Sequence, residues 1–363
     1  MISSELKDTF LTLVRQGIGT ADGSLESVNW AEVKALSKKY GLSAVVLDGA
    51  NSMALKGGLP AVAEMDYPFK KQWIGTAVKS YEYRYESYKK AIRSLAAFYN
   101  SHGFKMMVLK GYACSLDWPN PCHRPSGDID IWLFGRYKEA DEALSSEKGV
   151  KINSSHHHHT VFRVGKFLVE NHYDFINVHH HKSNQQLEKI LKEFGQDDSY
   201  YTEIDGERVY LPSPNLHALF LLEHAMLHFV TSDINLRQVI DWAFFVKAHG
   251  KEVDWQRIMN VLEEFGMKPF FGIFNSICVE HLGFNASDFP YVSEDNALKT
   301  RTLNEILSPE FQTEYPAHLI PRVIYKFRLW KSSTWKYKLC YRESMWSNFW
   351  TGVWSHILKP SSI

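Results

Sequence analysis

The chain has 363 residues and a mass of 42.0 kDa, with 45% hydrophobic and 23% charged residues, a globular mixture that excludes a disordered or collagen-like polymer. Lys+Arg and Asp+Glu number 41 each, so no bulk charge draws the protein to nucleic acid. Cys114, Cys122, Cys278 and Cys340 form no CxxC pair, which argues against a zinc ribbon or a disulfide framework. With no leader-like N-terminus and no run of ~18 apolar residues, the expectation is a cytoplasmic protein without a transmembrane segment.

Residues 1–103 read as an N-terminal helical region. Asn29 before Trp30 is an N-cap and Gly41 a helix stop, with Val33, Leu36 and Tyr40 at helical spacing between them. Residues 48–68 carry Gly, Asn and Pro and read as a loop with at most a short helix. A long helix is predicted over 71–100, closed by Gly103, with Tyr81, Tyr85 and Tyr88 as a packing stripe. The period changes at Phe104, which opens a core region over 104–212. Residues 104–109 (FKMMVL) read as a buried strand entering a turn at Lys110-Gly111, and the Pro-rich stretch 118–127 as a loop. Residues 160–164 and 166–175 are two strand-like runs joined at Gly165-Lys166, a hairpin.

After Pro212 and Pro214 the helical period returns, giving a helical region over 213–320. His217, His224 and His228 recur at spacings of 7 and 4 and share a helical face, without the HExxH order of a zinc protease. Arg237 and Asp241, at i and i+4, are expected to pair. Residues 29–42 are echoed by 254–267: a capped helix with matching apolar positions, ended by glycine, which reads as two similar helices on a shared core. Residues 321–363 form a basic aromatic tail with eight Lys/Arg, one acid and five Trp. The tail reads as helical, with Trp346 and Trp350 packed inward; contact with an anionic membrane surface or RNA is the alternative.

The most informative segment is DIDIWLF, 128–134. Side chains alternate along a strand, so Asp128 and Asp130 share a face with Cα atoms only ~6.6 Å apart. Two carboxylates that close repel unless a cation or proton lies between them, and Mg²⁺ commonly bridges such a pair to a substrate phosphate. Removing one carboxylate should then leave metal-free stability level or raised. Glu170 is the natural third carboxylate, sharing a strand face with His172 and Asp174, and His172 is a candidate to touch substrate or orient Glu170.

The order LKG, RPSGDIDIWL, VENH, LLEHAMLH and LRQVIDWA, over roughly 28–275, resembles the DNA polymerase beta-like nucleotidyltransferase superfamily, and within it the poorly characterised bacterial nucleotidyltransferase family. The resemblance implies an α+β fold: a small mixed sheet of nucleotidyltransferase type flanked by N- and C-terminal helices. It implies Asp128, Asp130 and Glu170 as catalytic metal ligands that hold two Mg²⁺ ions, and Lys110, Gly111, Arg124 and Gly127 as nucleotide-binding residues. Arg237 and Asp241 fall within it as candidate substrate contacts, an ordinary ion pair being the competing reading. The turn is Gly111-Tyr112 where Gly-Gly or Gly-Ser is usual, and sixteen residues separate Gly111 from Asp128. Lys110 and Arg124 are candidates to supply the missing positive charge, or else are solvated surface residues. The implied reaction moves a nucleoside monophosphate from a nucleoside triphosphate to an unidentified acceptor, releasing pyrophosphate.

Two rivals stand beside this reading. One is a ligand- or partner-binding protein that uses the same scaffold without catalysis. The other is a histidine-rich zinc hydrolase, suggested by 17 His in all and by the runs 156–159 and 179–181. On a strand only alternate members of a run share a face, so at most two of residues 156–159 could join one metal.

Overall fold

The computed structural model describes residues 2–60, 65–179, 181, 183–231, 234–309 and 318–343. Three helices open the chain: α1 (Ser4–Ile18), α2 (Trp30–Lys39) and α3 (Ser43–Leu55). The Asn29 side chain caps α2 by accepting from Glu32 N at 3.3 Å. The loop expected from residue 48 begins only after Leu55, because Gly49 sits inside α3 for a packing reason. A Cβ at Gly17 would lie 2.0 Å from Val45 O, and one at Gly49 would lie 2.0 Å from Leu13 O. The two glycines let α1 and α3 cross backbone to backbone, and tertiary contact overrides local propensity. The long helix begins earlier than expected, as α4 (Tyr67–Trp73), a π-helical stretch over Ile74–Val78, and α5 (Lys79–Ser101). Tyr85 and Tyr88 are buried as the packing stripe required, while Tyr81 is half-buried.

The central part runs β1 (Met107–Val108), α6 (Tyr112–Ser115), β2 (Ile129–Trp132), α7 (Tyr137–Lys148), β3 (His159–Val164), β4 (Phe167–His172), α8 (Asn184–Gly195), β5 (Tyr201–Ile204) and β6 (Glu207–Tyr210). The strands form one mixed sheet in the order β3-β4-β2-β1-β6-β5. β2 pairs parallel with β4 and antiparallel with β1. The hairpin at Gly165-Lys166 is present, with β4 ending at His172. Asp174, expected on the face of Glu170, therefore lies beyond the strand and pairs with Lys192.

The rest of the described chain is helical: α9 (Pro214–Thr231), α10 (Leu236–His249), α11 (Trp255–Phe265), α12 (Lys268–Glu280), α13 (Asn296–Leu307), α14 (Leu319–Ser332) and α15 (Thr334–Cys340). Alternation along the strands splits the buried residues into two cores. Ile129, Ile131, Val169 and Val209 pack on one face with Tyr88, Ile92 and Tyr99 of α5 and Leu144 of α7. Met107, Trp132 and Tyr210 face the other way, into a core shared with α1–α3 and α8–α13. The echoed helices α2 and α11 both bury their apolar stripes in this second core, each ended by a glycine of positive φ, Gly41 and Gly266.

In the tail, α14 and α15 are helical as expected. Trp335 is half-buried on the core, edge-on to Phe229 at 5.4 Å, and Lys336 is buried on Glu305 at 2.5 Å. Trp346, Trp350 and Trp354 lie outside the described residues. Among those described, no helix is long and apolar enough to cross a membrane.

Candidate active site

Strand β2 carries Asp130 on the face away from Ile129 and Ile131, and the parallel register sets it directly beside Glu170 of β4. Asp130 is buried, and its Oδ1 accepts from Lys110 Nζ at 2.8 Å and lies 3.1 Å from His172 Nε2. Burial alone would raise the Asp130 carboxyl; the charges and hydrogen bonds of Lys110 and His172 overcome it and hold the group far below the usual carboxylate range. Glu170 Oε2 is 3.7 Å from His172 Nε2, and its Oε1 is 4.0 Å from His159 Nε2. Burial, reinforced by the Asp130 charge, pushes Glu170 up to about 7. One donor atom each from Asp130, Glu170 and His172 lies within 4.8 Å of the others. Asp128 stands apart from this cluster. It is exposed and precedes the strand, and its backbone carbonyl accepts from Tyr88 Oη at 2.8 Å. Crowding of two carboxylates is thus not the governing force: Asp130 is already paired with the Lys110 ammonium.

The turn after β1 places Lys110 and Gly111. Gly111 has φ 47°, and a Cβ there would fall 2.3 Å from Tyr88 Oη, so both backbone conformation and space require glycine. Lys110 is no surface residue; only 16% of its side chain is exposed, and its ammonium is committed to Asp130. Arg124 is buried as well and grips Asp241 with both arms, Nε to Oδ1 at 2.7 Å and Nη2 to Oδ2 at 2.8 Å. Trp118 Nε1 donates to the same carboxylate at 2.8 Å.

This overturns the expected Arg237–Asp241 pair. Asp241 points from α10 into the protein, where a planar guanidinium from the loop offers two parallel hydrogen bonds, more than one i,i+4 contact supplies. The Arg237 Nε is left buried without a hydrogen-bond partner among the described residues. Burial, and then the like charge of Arg124, lower Arg237 from its ordinary value.

Lys110, Gly111, Arg124, Gly127, Asp128, Asp130, Arg237 and Asp241 line one cavity of about 200 Å³, together with His224 and His228 of α9 and Asn235 and Gln238 at the start of α10. Of the sequence-derived candidates, Glu170 and His172 are not in this lining; they meet it through Asp130. His217 separates from its helical partners and packs against Cys114 and Phe245 instead. The rings of His224 and His228 stand edge to face at 4.3 Å, both held below their ordinary values by burial. Asn235 and Gln238 form a capping box at the N-terminus of α10. Their spacing was visible in the sequence as N-x-x-Q before an apolar run, but nothing there tied the cap to a cavity.

The run 156–159 also reaches this neighbourhood. His156, His157 and His158 lie in a bend and only His159 enters β3, so strand alternation does not govern the run. His158 and His159 are consecutive, yet both approach His172. Burial leads in depressing them, to about 2 and about 3, and keeps both imidazoles neutral.

The solved structure of an antigenic nucleotidyltransferase-like protein from Paracoccidioides brasiliensis is similar over 44% of this chain and 75% of its own, at 18% identity and a TM-score of 0.31. No curated protein matches the chain. The family model described as uncharacterised nucleotidyltransferase matches residues 26–283, which span the sheet, the cavity and the helices around both. The chain belongs to that family of uncharacterised nucleotidyltransferases.

Proposed function

We propose that the protein transfers a nucleoside monophosphate from a nucleoside triphosphate to an acceptor hydroxyl, with release of pyrophosphate. The observation that carries this reading is the β2–β4 register, which sets Asp130 beside Glu170 at the rim of a cavity lined by cations. Carboxylate oxygens are the ligands Mg²⁺ takes; Asp130 and Glu170 fit such an ion, with Asp128 at the cavity mouth as a further ligand. Bound there, the metal would offset the charge of the triphosphate and polarise the reacting phosphorus. Lys110 and Arg237 would bind phosphate oxygens, Arg237 with a guanidinium nitrogen that has no hydrogen-bond partner among the described residues. The N-terminus of α10 adds a favourable dipole for an anion. Arg124 is positioned by Asp241 to shape the cavity wall. Glu170 would take the proton of the acceptor hydroxyl. A cavity of about 200 Å³ is smaller than the ~300–1,000 Å³ of ligand clefts in general, so it suits the phosphate end of the substrate, with the nucleoside outside.

One observation favours a second reading, phosphate-ligand binding without transfer: Lys110 and His172 already occupy the Asp130 oxygen that a metal would need. A single experiment separates the two. Purified protein is incubated with each labelled nucleoside triphosphate, Mg²⁺ and a cell extract, and both pyrophosphate and labelled products are followed. Transfer requires Mg²⁺-dependent pyrophosphate release that Asp128→Asn and Glu170→Gln abolish, with triphosphate binding weakened at least about tenfold by Arg237→Gln. Binding that ignores Mg²⁺ and yields no pyrophosphate would establish the second reading.

A further inference from the structure

The histidine run is anchored. Asn153 and Val161 exchange two backbone hydrogen bonds of 2.8 Å, closing the intervening segment back onto the start of β3. The backbone oxygen of His158 accepts from both Tyr173 N and Asp174 N, at 3.0 and 3.1 Å, and Tyr173 Oη donates to His156 O at 2.9 Å. A segment that resembles an affinity tag in sequence is therefore tied to the end of β4 in a defined place.

There three imidazoles converge. The ring centroids of His158 and His159 are 4.3 Å apart, those of His159 and His172 5.3 Å, and those of His158 and His172 5.6 Å. One ring nitrogen of each lies within 4.8 Å of the others. His158 Nδ1 and His159 Nδ1 are buried and have no hydrogen-bond partner among the described residues. His172 Nδ1 lies 3.2 Å from the Asp174 carbonyl oxygen. A carbonyl only accepts, so that nitrogen carries the hydrogen, and Nε2 is turned toward the carboxylates, 3.1 Å from Asp130 Oδ1. An imidazole with one nitrogen held by a backbone carbonyl is how metal-bound histidines are usually oriented.

We propose that His158, His159 and His172 form a binding site for a divalent transition metal of the zinc class, beside the carboxylate cluster and sharing His172 with it. Imidazole nitrogens suit Zn²⁺ and its neighbours, whereas carboxylate oxygens suit Mg²⁺, so the two adjoining donor sets select different ions. Three protein nitrogens leave a fourth position, and Glu170 Oε1, 4.0 Å from His159 Nε2, is the nearby side-chain oxygen to fill it. The proposal does not depend on nucleotidyl transfer.

The test uses full-length protein purified without a metal column and stripped with chelator. Zn²⁺ is titrated by calorimetry, and Co²⁺ is added as an optical reporter of coordination. Wild type should bind one Zn²⁺ per chain, give the intense visible absorption of four-coordinate Co²⁺, and melt at a higher temperature with Zn²⁺ present. His158→Gln and His159→Gln should each weaken Zn²⁺ binding at least about tenfold, and His157→Gln less than about threefold. Equal loss in His157→Gln would mean tag-like chelation and overturn the proposal, as would a six-coordinate Co²⁺ spectrum or no wild-type binding below about 10 µM. If the His158 or His159 variant fails to fold by circular dichroism, the wild-type stoichiometry and Co²⁺ spectrum decide alone. Mg²⁺-dependent triphosphate binding measured on the same samples keeps the fate of the transfer reading separate.

Discussion

Lys110, Arg124 and Arg237 line the cavity beside Asp130, while Arg301, Arg328, Lys331 and Lys338 line a groove of about 570 Å³ beside Trp335 on the C-terminal helices. Both regions are cationic, and burial separates them. In the cavity the Lys110 and Arg124 charges are held within 3 Å of a carboxylate, and the buried Nε of Arg237 has no hydrogen-bond partner among the described residues. In the groove all four cations are exposed, and the Arg301 guanidinium rides on the Trp335 ring at 4.1 Å. Charges out of water interact several times more strongly than charges in it. The cavity cations should therefore be costly to disturb and the groove cations nearly free.

The sharpest way to break that contrast is at the Arg124–Asp241 pair. Arg124→Ala strands a buried carboxylate and should cost about 3–5 kcal/mol in chemical denaturation. A cost near zero would show that the cavity is as wet as the groove.

Next comes the pair of neighbouring aspartates. Asp130→Asn leaves Lys110 buried without its counter-charge and should lower metal-free stability by about 2 kcal/mol or more. Asp128→Asn, exposed, should stay within about 0.5 kcal/mol. The first outcome reverses what mutual repulsion of two aspartates predicts, because in the folded protein Asp130 has cationic neighbours in Lys110 and, when protonated, His172. Equal melting temperatures for the two variants would refute the assignment of Lys110 to Asp130.

His249 lies between the regimes, with 36% of its side chain exposed. The hydrogen bond to Asp117 leads in raising it to about 9, against burial, with Glu252 adding to the effect. A folded pKa above the ordinary ~6.5 means stabilisation that is complete below about pH 6.5 and lost as pH rises through 9. Solvent screening limits it to under about 1 kcal/mol. Urea midpoints for wild type and His249→Gln should converge across that window; parallel curves would remove His249 from the account.

The smallest effect belongs to the groove. Arg328→Gln and Lys331→Gln should each change stability by less than about 0.5 kcal/mol. A loss above about 1 kcal/mol would place these cations in a network as costly to disturb as that of the cavity.

The parts legible in the sequence were those with a local signature. Alternation over 128–133 marked β2, Gly165-Lys166 marked the hairpin, and Asn29 and Asp254 marked two helix starts, each confirmed by a side-chain cap. Asp205-Gly206 carried the same kind of signal for the β5–β6 hairpin, with both residues at positive φ, and went unread between two short runs. Features that depend on distant partners stayed hidden. Gly49 reads as a loop residue until α1 is laid across it. Asp241 reads as the partner of Arg237 until the loop delivers Arg124. His158 and His159 read as strand neighbours on opposite faces until the bend and β4 bring both beside His172. Glu170 lay between these cases: its place mid-strand was readable, and its distance from Asp130 came only with the parallel pairing.

The contact between Tyr88 and the Gly111–Asp128 corner bears on whether this chain can be divided. Tyr88 belongs to α5, the helix that precedes the sheet, yet its hydroxyl holds the Asp128 carbonyl and fills the space a Gly111 side chain would need. The same helix, together with α7, packs on the Ile129–Ile131 face of the sheet. A fragment begun at residue 104 would keep Asp128, Asp130 and Glu170 and lose the strut that sets where Asp128 stands, along with the α5 side chains packed over Ile129 and Ile131. The sheet and the long helix before it are thus one indivisible unit, and transplanting the site into another scaffold would have to carry α5 along.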